Sequence, residues 1–293
     1  MKKEKIIAWI RAFRVFTLTA SFIPVFLGGI LAVHNPDFNL LTFILSILAL
    51  VTLQIGANLL NDSDDFTNKV DTKESYNSSG VIVDQLLECK TVKIVSYFFL
   101  FAAFLLGLYP VVSGGIVLWI LALLGIAAAY FYTRKPFEFK YHGLGLPLIF
   151  IMFGPLPVLG TYYLETRSMS LQALIYSIMI GLFITNILHA NDIRDIPTDT
   201  KAGIKTCSIL VGVERAKQLY VIMVVLAYVI DVVGVTFHQL PLAGLLVFLT
   251  MPIAIINIKK LYSPKIEDLI YLDRESAKLQ LLFGVLVIVS VLI

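Results

Sequence analysis

Charge is what this sequence has least of. Asp, Glu, Lys and Arg together make up 15% of the 293 residues, against 58% hydrophobic residues, and the mean hydropathy is +0.88. A soluble domain carries roughly a quarter charged residues, so this composition excludes an ordinary water-soluble fold and points to a bilayer as solvent. Cysteine is nearly absent: Cys89 and Cys207 are too few and too far apart for a zinc pattern or a disulfide framework, and both are expected to be structural. A basic tract is missing too. The net charge is only +3, and the basic residues are interspersed with aspartates, which excludes a nucleic-acid partner. After Lys2, Lys3 and Lys5 no small-residue cleavage site follows a short apolar core, so the first helix is expected to be retained.

The apolar residues come in blocks near the ~20 residues that a helix needs to cross the hydrocarbon. About nine such spans can be drawn, over 16–33, 40–60, 93–110, 113–132, 146–163, 169–190, 218–236, 240–257 and 278–293. In lipid every backbone polar group needs an internal partner, and nothing alternates with a barrel's period of two, so the fold class expected is all-α. Residues 1–293 are expected to form a single integral-membrane domain. Lysine and arginine gather in alternate loops, at the N-terminus, 61–92, 133–145, 191–217 and 258–277, which predicts that these loops are cytoplasmic.

Two of those loops carry aspartates in a pattern. The second span runs into N-L-L-N-D-S-D-D-F-T-N-K-V-D, with Asp62, Asp64, Asp65 and Asp71 beside Asn61; the sixth runs into N-D-I-R-D-I-P-T-D, with Asn191, Asp192, Asp195 and Asp199. Asp62 and Asp65 share a helix face if the span continues as helix, whereas Asp64 points elsewhere. Pro197 is expected to interrupt the second loop before Asp199. The shared Asn-Asp start looks like a diverged duplication, and it predicts that the two loops face one another across a central cavity.

Two like-charged clusters repel unless a divalent cation neutralises them. Oxygen-only ligands select hard ions, and magnesium takes one or two carboxylates together with substrate phosphates. The expected ligands are Asp62, Asp65, Asp71, Asp192, Asp195 and Asp199, of which Asp62, Asp65, Asp195 and Asp199 are the catalytic candidates. The partner is then a diphosphate, to be met by Arg134, Arg194, Lys201 and Lys205, with Arg14 as a further candidate and Asn61 and Asn191 ligating or orienting. Bland alternatives exist for single residues: Asp231, inside the seventh span, is placed to reach the outer surface, His189 reads as a hydrogen-bonded packing residue, and His142 is left open.

These residues resemble the UbiA superfamily of intramembrane prenyltransferases. Asn61, Asp62, Asp65 and Asp71 match the family's first motif; Asp192, Asp195, Asp199, Gly203, Lys205 and Thr206 match its second, and Tyr132-Thr133-Arg134 fits the segment after the fourth span. The wide gap from Asp65 to Asp71, the Y-H-G-L-G from Tyr141, F-G-P at Phe153 and G-T-Y-Y at Gly160 are similar to the 1,4-dihydroxy-2-naphthoate polyprenyltransferases of menaquinone synthesis. The resemblance implies magnesium-dependent transfer of a polyprenyl group from its diphosphate to an aromatic acceptor. It implies a membrane-lipid setting, the plasma membrane with the site facing the cytoplasm, and Tyr130, Tyr132, Tyr162 and Phe153 as candidate aromatic walls for an allylic cation. 4-Hydroxybenzoate, homogentisate or a glycerol phosphate stay open as acceptors. A transporter is the alternative of a different class, although transporters place ionisable groups near the midplane. A phosphatidyltransferase would need an Asp-Gly followed by Ala-Arg, an order the sequence lacks.

Overall fold

The computed structural model describes residues 2–71 and 79–293. Its helices, in chain order, are α1 (Lys2–Ala12), α2 (Thr19–Ala32), α3 (Leu40–Thr67), α4 (Cys89–Gly114), α5 (Ile116–Phe131), α6 (Gly145–Phe153), α7 (Pro155–Thr166), α8 (Leu171–Arg194), α9 (Ile196–Lys201), α10 (Cys207–Val211), α11 (Val213–Thr236), α12 (Met251–Leu261), α13 (Ile266–Ile270) and α14 (Leu272–Leu292). No strand occurs among the described residues.

Seven helices or helix pairs are long and apolar enough to cross a membrane, among them α6 with α7 and α12 with the 3-10 turn before it. The pair Glu4–Thr17 and Thr19–Ala32, bent by 47°, makes eight. The sequence led us to expect about nine. The difference is α5, whose 16 residues fall short of the ~20 needed for a full crossing.

Local chemistry sets the helix ends. The Asn39 side chain caps α3 by accepting from the backbone N–H of Leu41 at 2.9 Å, and Ser170 caps α8 by accepting from Ala173 at 3.3 Å. Gly115, at φ +73°, separates α4 from α5 in a conformation that a side chain would resist.

Helix α8 is the axis of the bundle. Two-thirds of its membrane window is buried, against 17% for α4, which therefore faces lipid along most of its length. Its inner face, with Tyr176, Ile180 and Phe183, packs on α11 and α14; Tyr228 and Phe283 meet Phe183 edge-on and tilted. A smaller core lies at the acidic-loop end, where Ala8 and Ala12 of α1 pack with Val81, Ile82 and Leu87. At the opposite end the buried Glu165 accepts from the Asn39 N–H and the Thr42 hydroxyl, each at 2.7 Å, and ties α7 to the start of α3.

Candidate active site

The two acidic segments are ends of long helices. Helix α3 runs on to Thr67, so Asp62, Asp64 and Asp65 occupy its last two turns. Helix α8 ends at Arg194, and Asp195 is the hinge residue between α8 and α9. Pro197 lies in the first turn of α9, where a missing N–H costs nothing. The interruption expected between Asp195 and Asp199 therefore falls at Asp195 itself, before Pro197, and the Asp199 N–H reaches back to the Asp195 carbonyl at 2.8 Å.

Asp62 accepts from the Arg14 guanidinium and from the Ser79 hydroxyl, the latter at 2.5 Å. Asp65, three residues on, accepts from Lys140 Nζ at 2.6 Å and from the Tyr141 hydroxyl at 2.5 Å. Asp64 does turn elsewhere. It takes a bidentate pair from Arg134, at 2.7 and 3.1 Å, with Lys93 3.5 Å away, and the guanidinium lies over the rings of Tyr130 and Tyr97. Arg134, expected at the phosphate, is thus committed to a carboxylate and two aromatic faces.

Lys140 is the centre of the constellation. It is only 7% exposed, and burial works against its ammonium, yet the charges of Asp65 and Asp71 hold it above the usual lysine range. Its charge also acts on Asp199, whose carboxyl burial pushes up to about 7, as the charges of Asp195 and Asp65 also do. Asp71 rises to about 7 as well, through burial and the nearby Asp65. Asp65 of the first loop thus touches this buried lysine, and the charge of the lysine is felt at carboxylates of both loops.

In the second loop Asp192, Asp195 and Asp199 are all buried. Burial raises the Asp195 carboxyl, and the adjacent Arg194 pulls against it. Arg194 binds Asp195 with two bonds of 2.9 and 2.7 Å and also reaches Asp273 at 3.5 Å. Its guanidinium serves carboxylates of this chain, although a role at phosphate was expected. Asn191 is half-buried at the end of α8, and Lys201 and Lys205 are exposed on the rim, Lys205 joined by its backbone N–H to the Tyr141 carbonyl at 3.2 Å.

Below the constellation lies a cavity of about 330 Å³. Arg14, Asn61, Tyr132 and Thr133 make its polar end, and α3, α4, α5 and α6 supply apolar walls. It is lined by Phe104 and Leu108 of α4 and by Leu123 and Ile126 of α5. All four are also exposed, so the cavity opens sideways between these helices. Of the four aromatics expected around it, Tyr132 and Phe153 line it. Tyr130 lies under Arg134, and Tyr162 packs on the main core.

The polar atoms suit a hard cation. The donors are oxygens only, and Asn61 Oδ1, Asp71 Oδ1 and Thr206 Oγ1 are buried with no hydrogen-bond partner among the described residues. Among those residues, no three His, Cys, Asp or Glu side chains converge closely enough to hold an ion unaided. A cation here needs oxygens beyond those that these side chains bring together.

Lys140, Ser79 and Asp273 are not singled out by the sequence, and Tyr141 enters there only as the start of the Y-H-G-L-G segment. The signal for Lys140 is weak: it lies in the basic 133–145 loop, directly before that segment. His189 proves to be a packing residue, fully buried, between the Ala216 carbonyl at 2.8 Å and Ser208 at 3.3 Å. His142 is exposed, its ring against the Glu138 carbonyl. Asp231 does not reach the surface: it is fully buried, and neither oxygen has a partner among the described residues.

A membrane-spanning helical bundle with two acidic helix ends and an apolar cavity that has Arg14 and Asn61 at its polar end suits an intramembrane prenyltransferase. The model of the UbiA prenyltransferase family matches residues 21–269, and the chain belongs to that family. A 1,4-dihydroxy-2-naphthoate octaprenyltransferase of Bacillus subtilis (strain 168) is 33% identical over 282 residues, which cover 96% of this chain and 90% of that one. A UbiA homologue from Aeropyrum pernix K1 shares the fold with a TM-score of 0.66 at 18% identity, covering 94% of this chain and 98% of its own. Another from Archaeoglobus fulgidus, bound to GPP and Mg2+, superposes with a TM-score of 0.63 at 15% identity, covering 96% and 99%.

Proposed function

We propose that this protein transfers a polyprenyl group from a polyprenyl diphosphate to 1,4-dihydroxy-2-naphthoate, with magnesium, at the cytoplasmic face of the plasma membrane, and that residues 1–293 act as one catalytic unit. The observation that carries this function is the pairing of Asp65 with buried Lys140 and of Asp62 with Arg14, which lines the polar end of an apolar cavity. The naphthoate acceptor is supported by the name of the Bacillus relative and by the Asp65 to Asp71 spacing, magnesium by the Archaeoglobus homologue and by the oxygen-only donors. The cytoplasmic orientation is supported by the lysines and arginines gathered at the acidic end.

Asp62, Asp65, Asp71, Asp192, Asp195 and Asp199 are the residues to hold the ion, with Asn61 and Asn191 completing or orienting the set. When bound, magnesium supplies charge that stabilises the departing diphosphate. The chain's own residues do the rest. Arg14 at the polar end of the cavity and Lys140 beside Asp65 carry positive charge toward the phosphate oxygens, with Arg134, Arg194, Lys201 and Lys205 as the further basic groups of the acidic end. The cavity takes the prenyl tail and keeps water from the allylic cation left when the carbon-oxygen bond breaks. Tyr132 and Phe153 offer ring faces to that cation. The electron-rich acceptor ring attacks it and loses carbon dioxide from the carboxyl-bearing carbon.

The test is prenyl transfer in membranes expressing this chain, with magnesium, a labelled polyprenyl diphosphate and 1,4-dihydroxy-2-naphthoate, beside Asp65→Ala and Asp195→Ala. Product that disappears with EDTA and in both variants is the expected result. Diphosphate release without naphthoate product would move the acceptor to 4-hydroxybenzoate or another ring. Folded protein inactive with every acceptor would remove the function.

A further inference from the structure

Asp195 is placed at a weak point of the backbone. It closes α8 and opens α9 with φ −93° and ψ 3°, so neither helix fixes its side chain. What fixes it is Arg194, through two bonds. Arg194 is itself held from the far side: one arm donates to the Ile270 carbonyl at 3.3 Å and lies 3.5 Å from Asp273 Oδ2. Asp273 is fixed in turn, because its other oxygen accepts from the Arg274 N–H at 2.7 Å in the first turn of α14. The three side chains are 0%, 3% and 10% exposed for Asp195, Arg194 and Asp273, so water screens little of the interaction.

Two carboxylates thus share one guanidinium. Without the Asp273 carboxylate, Arg194 would lose its ionic partner on the far side, and Asp195 would lose the anchor that its own two bonds depend on. Fork geometry also matters, since only a planar guanidinium reaches two carboxylates and a carbonyl at once.

We propose that Asp273 is a positioning residue for the second acidic loop: by holding Arg194 from the far side it fixes the place of the Asp195 side chain at the acidic end, where the diphosphate brings its cation. The inference rests on the prenyl-transfer function proposed above, and it extends the site to the α13–α14 junction, which contributes none of the expected ligands. Outer partners of metal ligands typically change affinity by about 10–100-fold when lost.

The experiment is Mn2+ binding followed by electron paramagnetic resonance on the full-length protein in detergent with inorganic diphosphate, compared across wild type, Asp273→Asn, Asp273→Glu and Asp273→Ser. Thermal melts accompany each variant. Asp273→Asn and Asp273→Ser are expected to bind Mn2+ about tenfold more weakly with melting unchanged, and Asp273→Glu to restore most of the affinity. In transfer assays the half-saturating magnesium concentration should rise by the same factor, with kcat at saturating magnesium held within about twofold. Serine is included so that a misfolded asparagine variant leaves a second neutral residue to measure. Equal Mn2+ affinity in the neutral variants and wild type would overturn the inference and leave the function standing. So would a loss that glutamate does not restore and that tracks a lowered melting temperature, because that marks a purely structural contact. Wild type that binds no Mn2+ even with diphosphate would overturn the function itself.

Discussion

Lys140 Nζ lies 2.6 Å from Asp65 Oδ2, and the two residues are 75 positions apart in the chain. The pair joins the end of α3 to the loop before α6, and through its charge Lys140 also reaches Asp199 beyond α8. Removing the ammonium leaves buried carboxylates of both loops facing one another, which is far more costly than never having had the pair. Lys140→Met is expected to lower kcat/KM for prenyl transfer by about a hundredfold or more. Arginine at the same site should recover little, because the pocket fits a compact point charge. Steady-state kinetics with a melting curve for each variant checks this.

Arg134 and Asp64 form a clamp apart from that centre. Their bidentate contact, with Tyr97 and Tyr130 beneath the guanidinium, holds the segment after α5 against α3. A double-mutant cycle of Arg134→Gln and Asp64→Asn should give a coupling of about 2 kcal/mol in stability. Asp64→Asn should keep far more activity than Asp62→Asn. Equal losses in both variants would place Asp64 in the chemistry.

Asp71 and Asp199 both have carboxyls raised to about 7 from 3.8. Between those values the folded protein keeps protons that the unfolded chain has released, so the contribution of these groups to stability falls as pH rises. Metal-free protein should therefore melt higher at pH 6 than at pH 8. A cation with diphosphate needs the ionised forms, so its binding should release protons near pH 6 and strengthen toward pH 8. Calorimetry in two buffers of different ionisation enthalpy measures that release.

Gly125 lines the cavity, and a Cβ there would meet nothing within 4 Å. Gly125→Phe is expected to fold normally while filling part of the space. Short prenyl diphosphates should then be preferred over long ones, visible in product masses from a mixed-substrate assay. An unchanged product distribution would put the tail elsewhere.

Gly154 joins α6 to α7 and lies against Gly181 of α8. A Cβ would come within 2.7 Å of the Gly181 Cα and of the Ser177 carbonyl oxygen. Backbone cannot rotate aside, so Gly154→Ala should cost about 1–3 kcal/mol of stability, read as a lower melting temperature in detergent with ligand contacts intact.

Much of this was legible in the sequence because bilayer spans and their charged ends are local signals. The run from Leu40 to Leu60 and the aspartates after it can be read without knowing what they touch, and helical spacing alone separates Asp64 from Asp62 and Asp65. Partners were less legible. Arg194 reads as a phosphate ligand because it sits among aspartates and Arg134 because it lies in the basic loop between the two clusters, but sequence neighbourhood does not tell which carboxylates a guanidinium also meets. Lys140 and Ser79 come from other loops and Asp273 from the first turn of α14, and they enter the site only through tertiary packing, such as that of α14 on α8 and of α1 on the segment after Ser79. Asp231 misled for a related reason: its place near the end of a span implied a wet carboxylate, whereas Gly244 packs against it.

The sideways opening between α4 and α5 has a kinetic consequence. A tail that enters from the hydrocarbon is drawn from a two-dimensional pool, so the concentration that governs its capture is its mole fraction among lipids, whatever the volume of buffer. Diluting the substrate with inert lipid or detergent at constant bulk amount should slow the reaction, and adding buffer should leave it unchanged. The product, longer by an aromatic head, returns to the leaflet that supplied its tail, and its hydrocarbon never has to be carried through water.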